Sequence, residues 1–252
     1  MRPLKTLVLL IGYGLYLIMP TKVLSQEPAV ISGRIDNYRL QHISFSWWQE
    51  GSFTPLSREN MVSSADSFYF RIAIPGGRPV FFYLDGGANA SVLGLVSAGD
   101  SLHIRYREDS LEITGKGSAV NRAMYTAQRL QDKVEAADPA TAARLQLAVA
   151  QQVLNRYKDS VTPFLYILLQ AHLTGLPAQR LTGAVWKLPA TPDSTLEERQ
   201  VDFYRHTILP YLPNTEVNDI TVMSTRFVNY LLQKAEADLF IQHRFECNTK
   251  AV

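Results

Sequence analysis

The sequence predicts an α+β protein: an N-terminal antiparallel β-sandwich or partial barrel over residues 26–117, then a helical region over residues 118–252. Three observations carry this expectation. Apolar residues alternate with period two through residues 28–114, and Gly- and Pro-rich turns break that alternation into short runs. From Ser118 onward the spacing changes to three and four, the stripe of an amphipathic helix. Strand runs and helix runs are thus segregated, which excludes the alternating order that builds a parallel doubly wound sheet.

The strands come first. Val30–Ile35 is one, and Leu40–Trp48 a second, with Ile43, Phe45 and Trp47 on one face and His42, Ser44 and Ser46 on the other. Ser67–Ile74 alternates Phe68, Phe70, Ile72 and Ile74 against Tyr69, Arg71 and Ala73. Pro79–Leu84 and Val92–Val96 are mostly apolar, Leu102–Tyr106 alternates again, and Leu111–Ile113 closes the series. Pro75-Gly76-Gly77, Asp85-Gly86-Gly87 and Gly99-Asp100-Ser101 supply the turns. One face of each strand is expected to be buried and the other wet.

The helices follow. Val120, Met124, Ala127, Leu130 and Val134 form a stripe, with Ser118 placed to accept a free backbone N–H as N-cap. Asp138-Pro139 opens a second helix to about Tyr157. Phe164–Leu173 reads as a short core helix, and Pro177 starts another that ends near Trp186. Asp193 or Ser194 caps a helix to about Leu209, where Pro210 and Pro213 stop it. The final helix is expected to bury Met223, Phe227, Leu231, Ala235 and Leu239 on one face.

Residues 1–25 have a different character. Arg2 and Lys5 precede an apolar stretch from Leu7 to Met19, and Val23-Leu24-Ser25 offers small residues at the positions a signal peptidase reads, with cleavage before Gln26. The apolar stretch is short for a span of about 20 residues, so export with removal of the leader, and no stable membrane span afterwards, is the expectation. The periplasm or cell envelope is the compartment this implies. Of 25 basic and 23 acidic residues, three basic ones and no acid precede Gln26, which leaves net −1 for the rest. Clustered Lys and Arg of the kind that hold nucleic acid are absent.

No segment carries a recognisable catalytic constellation. Gly115-Lys116-Gly117-Ser118 follows a strand and precedes a helix, but lacks the first glycine of a phosphate-binding loop, and Val120 stands where a dinucleotide fingerprint needs glycine. It reads as a sharp strand-to-helix turn. Glu198, Asp202 and His206 share a helix side, yet the first and last lie two turns apart, about 12 Å, too far for one ion. There is no H-E-x-x-H or G-x-S-x-G. No metal and no cofactor is expected. Trp47-Trp48 with Phe81-Phe82-Tyr83 reads as core plus edge cover, one member of each pair pointing into the core, with an aromatic binding patch of the outward rings as the alternative.

Four stretches in order, "ISGRI" at 31–35, "FYFRIAIPGGRPVFFYL" at 68–84, "SAGDSLHI" at 97–104 and "LEITGKGSAVNR" at 111–122, resemble the N-terminal region of exported Bacteroidetes-type thiol-disulfide oxidoreductases of the thioredoxin-like (TlpA/ResA/AhpC-TSA) group. In that group a β-rich domain of unknown function carries a "pGDS" turn and closes with a glycine-rich motif leading to Asn. Gly99, Asp100 and Ser101 match the turn, and Gly115, Gly117 and Asn121 match the closing motif, while Ala98 stands where Pro is usual. "FYRHTILPYLP" at 203–213 is similar to the linker before the catalytic domain. The resemblance implies an accessory module, its partner another envelope protein or a thioredoxin-like domain. Redox activity is not carried over, because that chemistry uses a C-x-x-C pair and this sequence has one cysteine, Cys247, expected past the end of the last helix. The alternative is a degenerate or truncated thiol-disulfide oxidoreductase. N-terminal sequencing of the exported protein is expected to start at Gln26; an intact Met1 in the envelope fraction would contradict the leader assignment.

Overall fold

Alternating residues become strands because one face of each finds an apolar partner. The computed structural model describes residues 27–36, 43–48, 57–61, 67–85, 91–107, 110–189 and 195–249. Within them the N-terminal part holds β1 (Ala29–Asp36), β2 (Ile43–Trp48), β3 (Ser57–Met61), β4 (Ser67–Ile72), β5 (Val80–Asp85), β6 (Ser91–Val96), β7 (Ser101–Arg107) and β8 (Ser110–Lys116). They form two four-stranded sheets, ordered β4-β1-β7-β8 and β3-β2-β5-β6. The leader and the start proposed for the second strand at Leu40 lie outside the described residues.

Two features correct the sequence reading. The first sheet is mixed, because β1 runs parallel to β7, with Ile31 opposite Leu102 and Gly33 opposite Ile104, while its other neighbour β4 is antiparallel. Strand β3, with the sequence Ser-Arg-Glu-Asn-Met, carries no period-two apolar signal and was not expected; its pairing with β2 holds it on the edge of the second sheet.

The inward residues of both sheets share one buried cluster, in which Phe45 stacks on Phe70 at 4.5 Å and on Phe82 at 5.9 Å between centroids. The second sheet is covered on its other face as well. There Phe81 and Leu95, with partly buried Trp48 and Leu93, pack against helical residues including Val120, Met124, Leu169 and Leu173. These rings are thus core, as the favoured reading of the sequence has it, and not an exposed patch. Phe81 and Phe82 point to opposite faces, as pleating requires, but both faces are buried. Trp47 packs on the inter-sheet cluster, and Trp48 stacks on Phe81 on the helical side.

The helical part comprises α1 (Ser118–Asp132), α2 (Pro139–Tyr157), α3 (Pro163–Gly183), α4 (Leu196–Phe203) and α5 (Thr225–Thr249). Asp138 caps α2 by accepting from the Thr141 N–H at 2.9 Å, and the Thr141 side chain together with that bond holds its carboxyl below the ordinary range. Thr162 caps α3, and Thr195, not Asp193 or Ser194, caps α4. Beyond Phe203 the chain passes through a π turn and a 3-10 turn to Tyr211.

Pro177 does not start a helix; it lies inside α3. A helical proline leaves the carbonyl four residues earlier without its donor, here that of Leu173. The side-chain amide of Gln131 donates to that carbonyl at 3.3 Å and to the Gln146 carbonyl at 3.1 Å. Gln146 returns a bond to the Gln131 carbonyl at 3.1 Å, and its own side-chain oxygen accepts from Arg180 at 3.1 Å. The orphan carbonyl made by Pro177 is thus satisfied by a three-helix network, and the helix continues.

Helices α3 and α5 touch backbone to backbone at Gly175, where a Cβ would stand 2.6 Å from the Arg226 carbonyl carbon and the Phe227 nitrogen. The buried stripe of α5 is Phe227, Tyr230, Ala237 and Ile241. Leu239, expected to be buried, is 67% exposed, and Ala235 faces solvent too. The reason is helical pitch. At 3.6 residues per turn, each step of four overshoots by about 40°, so a strict every-fourth stripe drifts off the core. Met223 is buried in a 3-10 turn before α5 rather than in the helix itself. Cys247 falls within α5, whose last residue is Thr249, and not beyond it.

Phe227→Ala is expected to lower stability in urea by about 3–5 kcal/mol, the cost of emptying a buried aromatic site. Leu239→Asp is expected to change it by no more than about 0.5 kcal/mol, as at exposed positions generally.

Candidate functional site

The residues that carry the family resemblance meet at the seam between sheets and helices. Asp100 is buried, and its carboxylate accepts the Ser97 N–H at 2.8 Å, closing the turn before β7. The Asp100 carbonyl accepts the Val30 N–H at 2.8 Å, which ties that turn to β1. Gly99 has φ 73°, Gly115 φ 92° and Gly117 φ 85°, all left-handed. At Gly117 a side chain would meet Asp100 as well, since a Cβ would lie 2.6 Å from its carboxylate. Ser101 opens β7, paired with Val30 on one side and Lys116 on the other.

Gly117 is also the residue before the first turn of α1, with no side-chain cap. Ser118 is therefore the first helical residue and not the N-cap; its hydroxyl accepts from Arg122 at 3.2 Å instead. A left-handed residue is needed to reverse the chain from β8 into α1, and glycine takes that place.

Asn121 makes the join between the two parts. Its side-chain oxygen accepts the Leu95 N–H at 2.8 Å, and its amide nitrogen donates to the Leu95 carbonyl at 2.8 Å and to the Gly117 carbonyl at 2.9 Å. Leu95 is on β6, the outer strand of its sheet. Gly94 leaves room for this approach, since a Cβ there would lie 2.4 Å from the Asn121 oxygen. Every polar contact of Asp100 and Asn121 named here runs to the protein's own backbone, so both act as joints.

A cleft of about 590 Å³ opens beside this seam, between the β5–β6 face and helices α1, α3 and α5. Tyr83, Tyr106, Tyr125, Arg129, Asp132, His172 and Arg226 contribute its polar lining. His172 is buried in α3 with the Phe81 ring stacked on it at 4.8 Å. Burial, reinforced by the nearby Arg226 cation, holds its imidazole well below the ordinary range, so it is neutral at pH 7. Its Nδ1 lies 3.4 Å from the Ser224 hydroxyl, and its Nε2 is buried with no hydrogen-bond partner. Arg226 is in the first turn of α5. Burial and the neighbouring Arg180 depress its guanidinium below the usual value, and Asp132 opposes them.

The row Glu198, Asp202 and His206 does not converge. Asp202 and His206 form an exposed pair at 2.9 Å, while the Glu198 backbone N–H goes to the Thr195 cap. Among the described residues there is no group of three His, Cys, Asp or Glu able to hold a metal. The sequence reading passed over His172 and Arg226. The available signal was an imidazole inside the apolar run Phe164–Leu173, a place where a polar ring must find a partner or a purpose. Comparisons of the chain with family models, with curated proteins and with solved structures return no match.

Asn121→Leu is expected to strand the Leu95 N–H and carbonyl and cost about 2–6 kcal/mol, at about 1–3 kcal/mol per buried unsatisfied group; a urea midpoint unchanged from wild type would show that the pairing is dispensable. A pH series on Asp100→Asn tests the second joint. Burial, partly opposed by the Ser97 bond and Lys116, raises the Asp100 pKa. A raised carboxyl pKa means that the folded state binds the proton more tightly than the unfolded one, so this stability is present in acid and lost as pH rises through the folded pKa. The stability gap between wild type and Asp100→Asn is therefore expected to shift against wild type as pH climbs out of the carboxylate range.

Proposed function

We propose that this chain is a non-catalytic exported accessory or binding module, related to the N-terminal region of thioredoxin-like thiol-disulfide oxidoreductases, in which the two sheets form a β-sandwich. The observation that carries the reading is the use of the motif residues. Asp100, Gly117 and Asn121 spend their geometry on holding a turn, a strand edge and a helix start together. A motif of this kind marks a scaffold and not a reaction centre. The sandwich reading draws on the shared cluster of inward residues and the Phe45–Phe70 stack between the sheets. The partner it implies is another envelope protein or a thioredoxin-like domain.

The redox alternative rests on Cys247 alone. Thiol exchange of the thioredoxin type passes through a mixed disulfide that a second thiol resolves, and the sequence holds one cysteine. Cys247 sits two residues before the end of α5, where the helix dipole disfavours a thiolate. The purified protein is expected to reduce insulin by dithiothreitol at the background rate, with no change in Cys247→Ser. Turnover above background that disappears in that variant would overturn the module reading.

A further inference from the structure

Resting on the module reading and deepening it, the cleft beside the seam has the composition of a ligand site. Its volume of about 590 Å³ falls within the range of roughly 300–1,000 Å³ typical of small-molecule pockets. Three tyrosines line it together with Val92, Leu93 and Met124. Two of its polar side chains, Arg226 and His172, have nitrogens with no protein partner among the described residues.

Arg226 is the first of these. It reaches the cleft from the first turn of α5 and is half-buried there. Among the described residues it forms no ion pair and no side-chain hydrogen bond. Asp132, the nearest opposing charge acting on it, does not come within ion-pair distance, and Arg180 adds a like charge. A half-buried guanidinium with no protein partner leaves its five N–H donors to water or to a ligand.

His172 is the second. The Ser224 hydroxyl accepts the Phe227 N–H at 3.4 Å and pairs with His172 Nδ1, also at 3.4 Å. The other ring nitrogen, Nε2, is buried and unpartnered. A half-buried cation with no protein partner at a cleft suits an oxygen acceptor of negative charge. Asp132 in the same lining makes a monoanion a better match than a dianion.

We propose that the cleft between the β5–β6 face and helices α1, α3 and α5 binds a small monocarboxylate with a flat apolar body, the carboxylate on Arg226 and the body among Tyr83, Tyr106 and Tyr125. The planar fork of Arg226 suits a carboxylate, which it meets with two parallel N–H bonds. Rings and apolar side chains around it supply the area that gives such a ligand its affinity.

Calorimetric titration of the exported protein with 3-phenylpropanoate tests this. Saturable binding is expected, with the neutral isostere 3-phenylpropanamide at least about tenfold weaker, the loss of one charge-assisted contact. Arg226→Gln is expected to weaken the acid by at least about tenfold and leave the amide unchanged, with ligand-free thermal stability equal to or above wild type. Arg226→Lys is expected to recover part of the affinity. The proposal is overturned by absence of saturable binding, by equal affinity for acid and amide, or by unchanged affinity in Arg226→Gln. Inorganic phosphate displacing the acid would overturn the carboxylate assignment. The acid–amide comparison on wild type stands even if a variant fails to fold. Insulin turnover reads out the module reading separately, so failure of one is distinguishable from failure of the other.

Discussion

The pairing of the Asn121 side chain with the backbone of Leu95 is the constraint on which the arrangement of the two parts rests. In an antiparallel ladder alternate residues turn their N–H and C=O away from the neighbouring strand. Leu95 sits opposite Phe81 of β5 on one side and belongs to the outer strand of its sheet on the other. Its outward N–H and carbonyl would be lost to water once α1 covers the edge, and buried backbone groups must be paired. One amide side chain satisfies both and also takes the Gly117 carbonyl, which fixes the first turn of α1 at a set distance from β6. Shortening Asn121 or enlarging Gly94 would break the fit from either side.

From that anchor the burial of the second sheet follows. Because α1 is held against β6, its stripe of Val120, Ala123, Met124 and Ala127 covers Leu95 and Phe81, and α3 packs behind it through Leu169 and Leu173. The sheet ends up apolar on both faces, which is why Phe81 and Phe82 are both buried. A second polar lock, Gln131 with Gln146, closes the far end of α1 and absorbs the carbonyl freed by Pro177. The cleft is what remains between these two locks, where α1, α3 and α5 diverge from the sheet. Its walls are set by the same contacts that hold the fold.

Local patterning made much of this legible. Phe68, Phe70 and Ile72 alternate, and the strand forms as their spacing says; Asp138-Pro139 caps and opens α2. The failures share a cause, which is that tertiary partners decided them. Pro177 is a helix breaker by itself and becomes tolerable only because Gln131, far away in sequence, reaches its orphan carbonyl. The edge strand β3 is held by pairing with β2 and has little pattern of its own. The parallel pairing of β1 with β7 joins strands far apart in sequence, which no local period encodes. The cleft was invisible for the same reason. His172 and Arg226 come from different helices, and their shared surroundings exist only after α3 and α5 close at Gly175.

Native-state hydrogen exchange at the Leu95 amide tests most directly whether the Asn121 joint makes sheets and helices one cooperative unit. With the joint in place, the Leu95 N–H is predicted to exchange only through global unfolding, at the same free energy as the central amides of β5 and α1. Exchange of Leu95 at the much lower free energy of a fraying edge strand, with α1 opening independently of the sheet, would contradict the account.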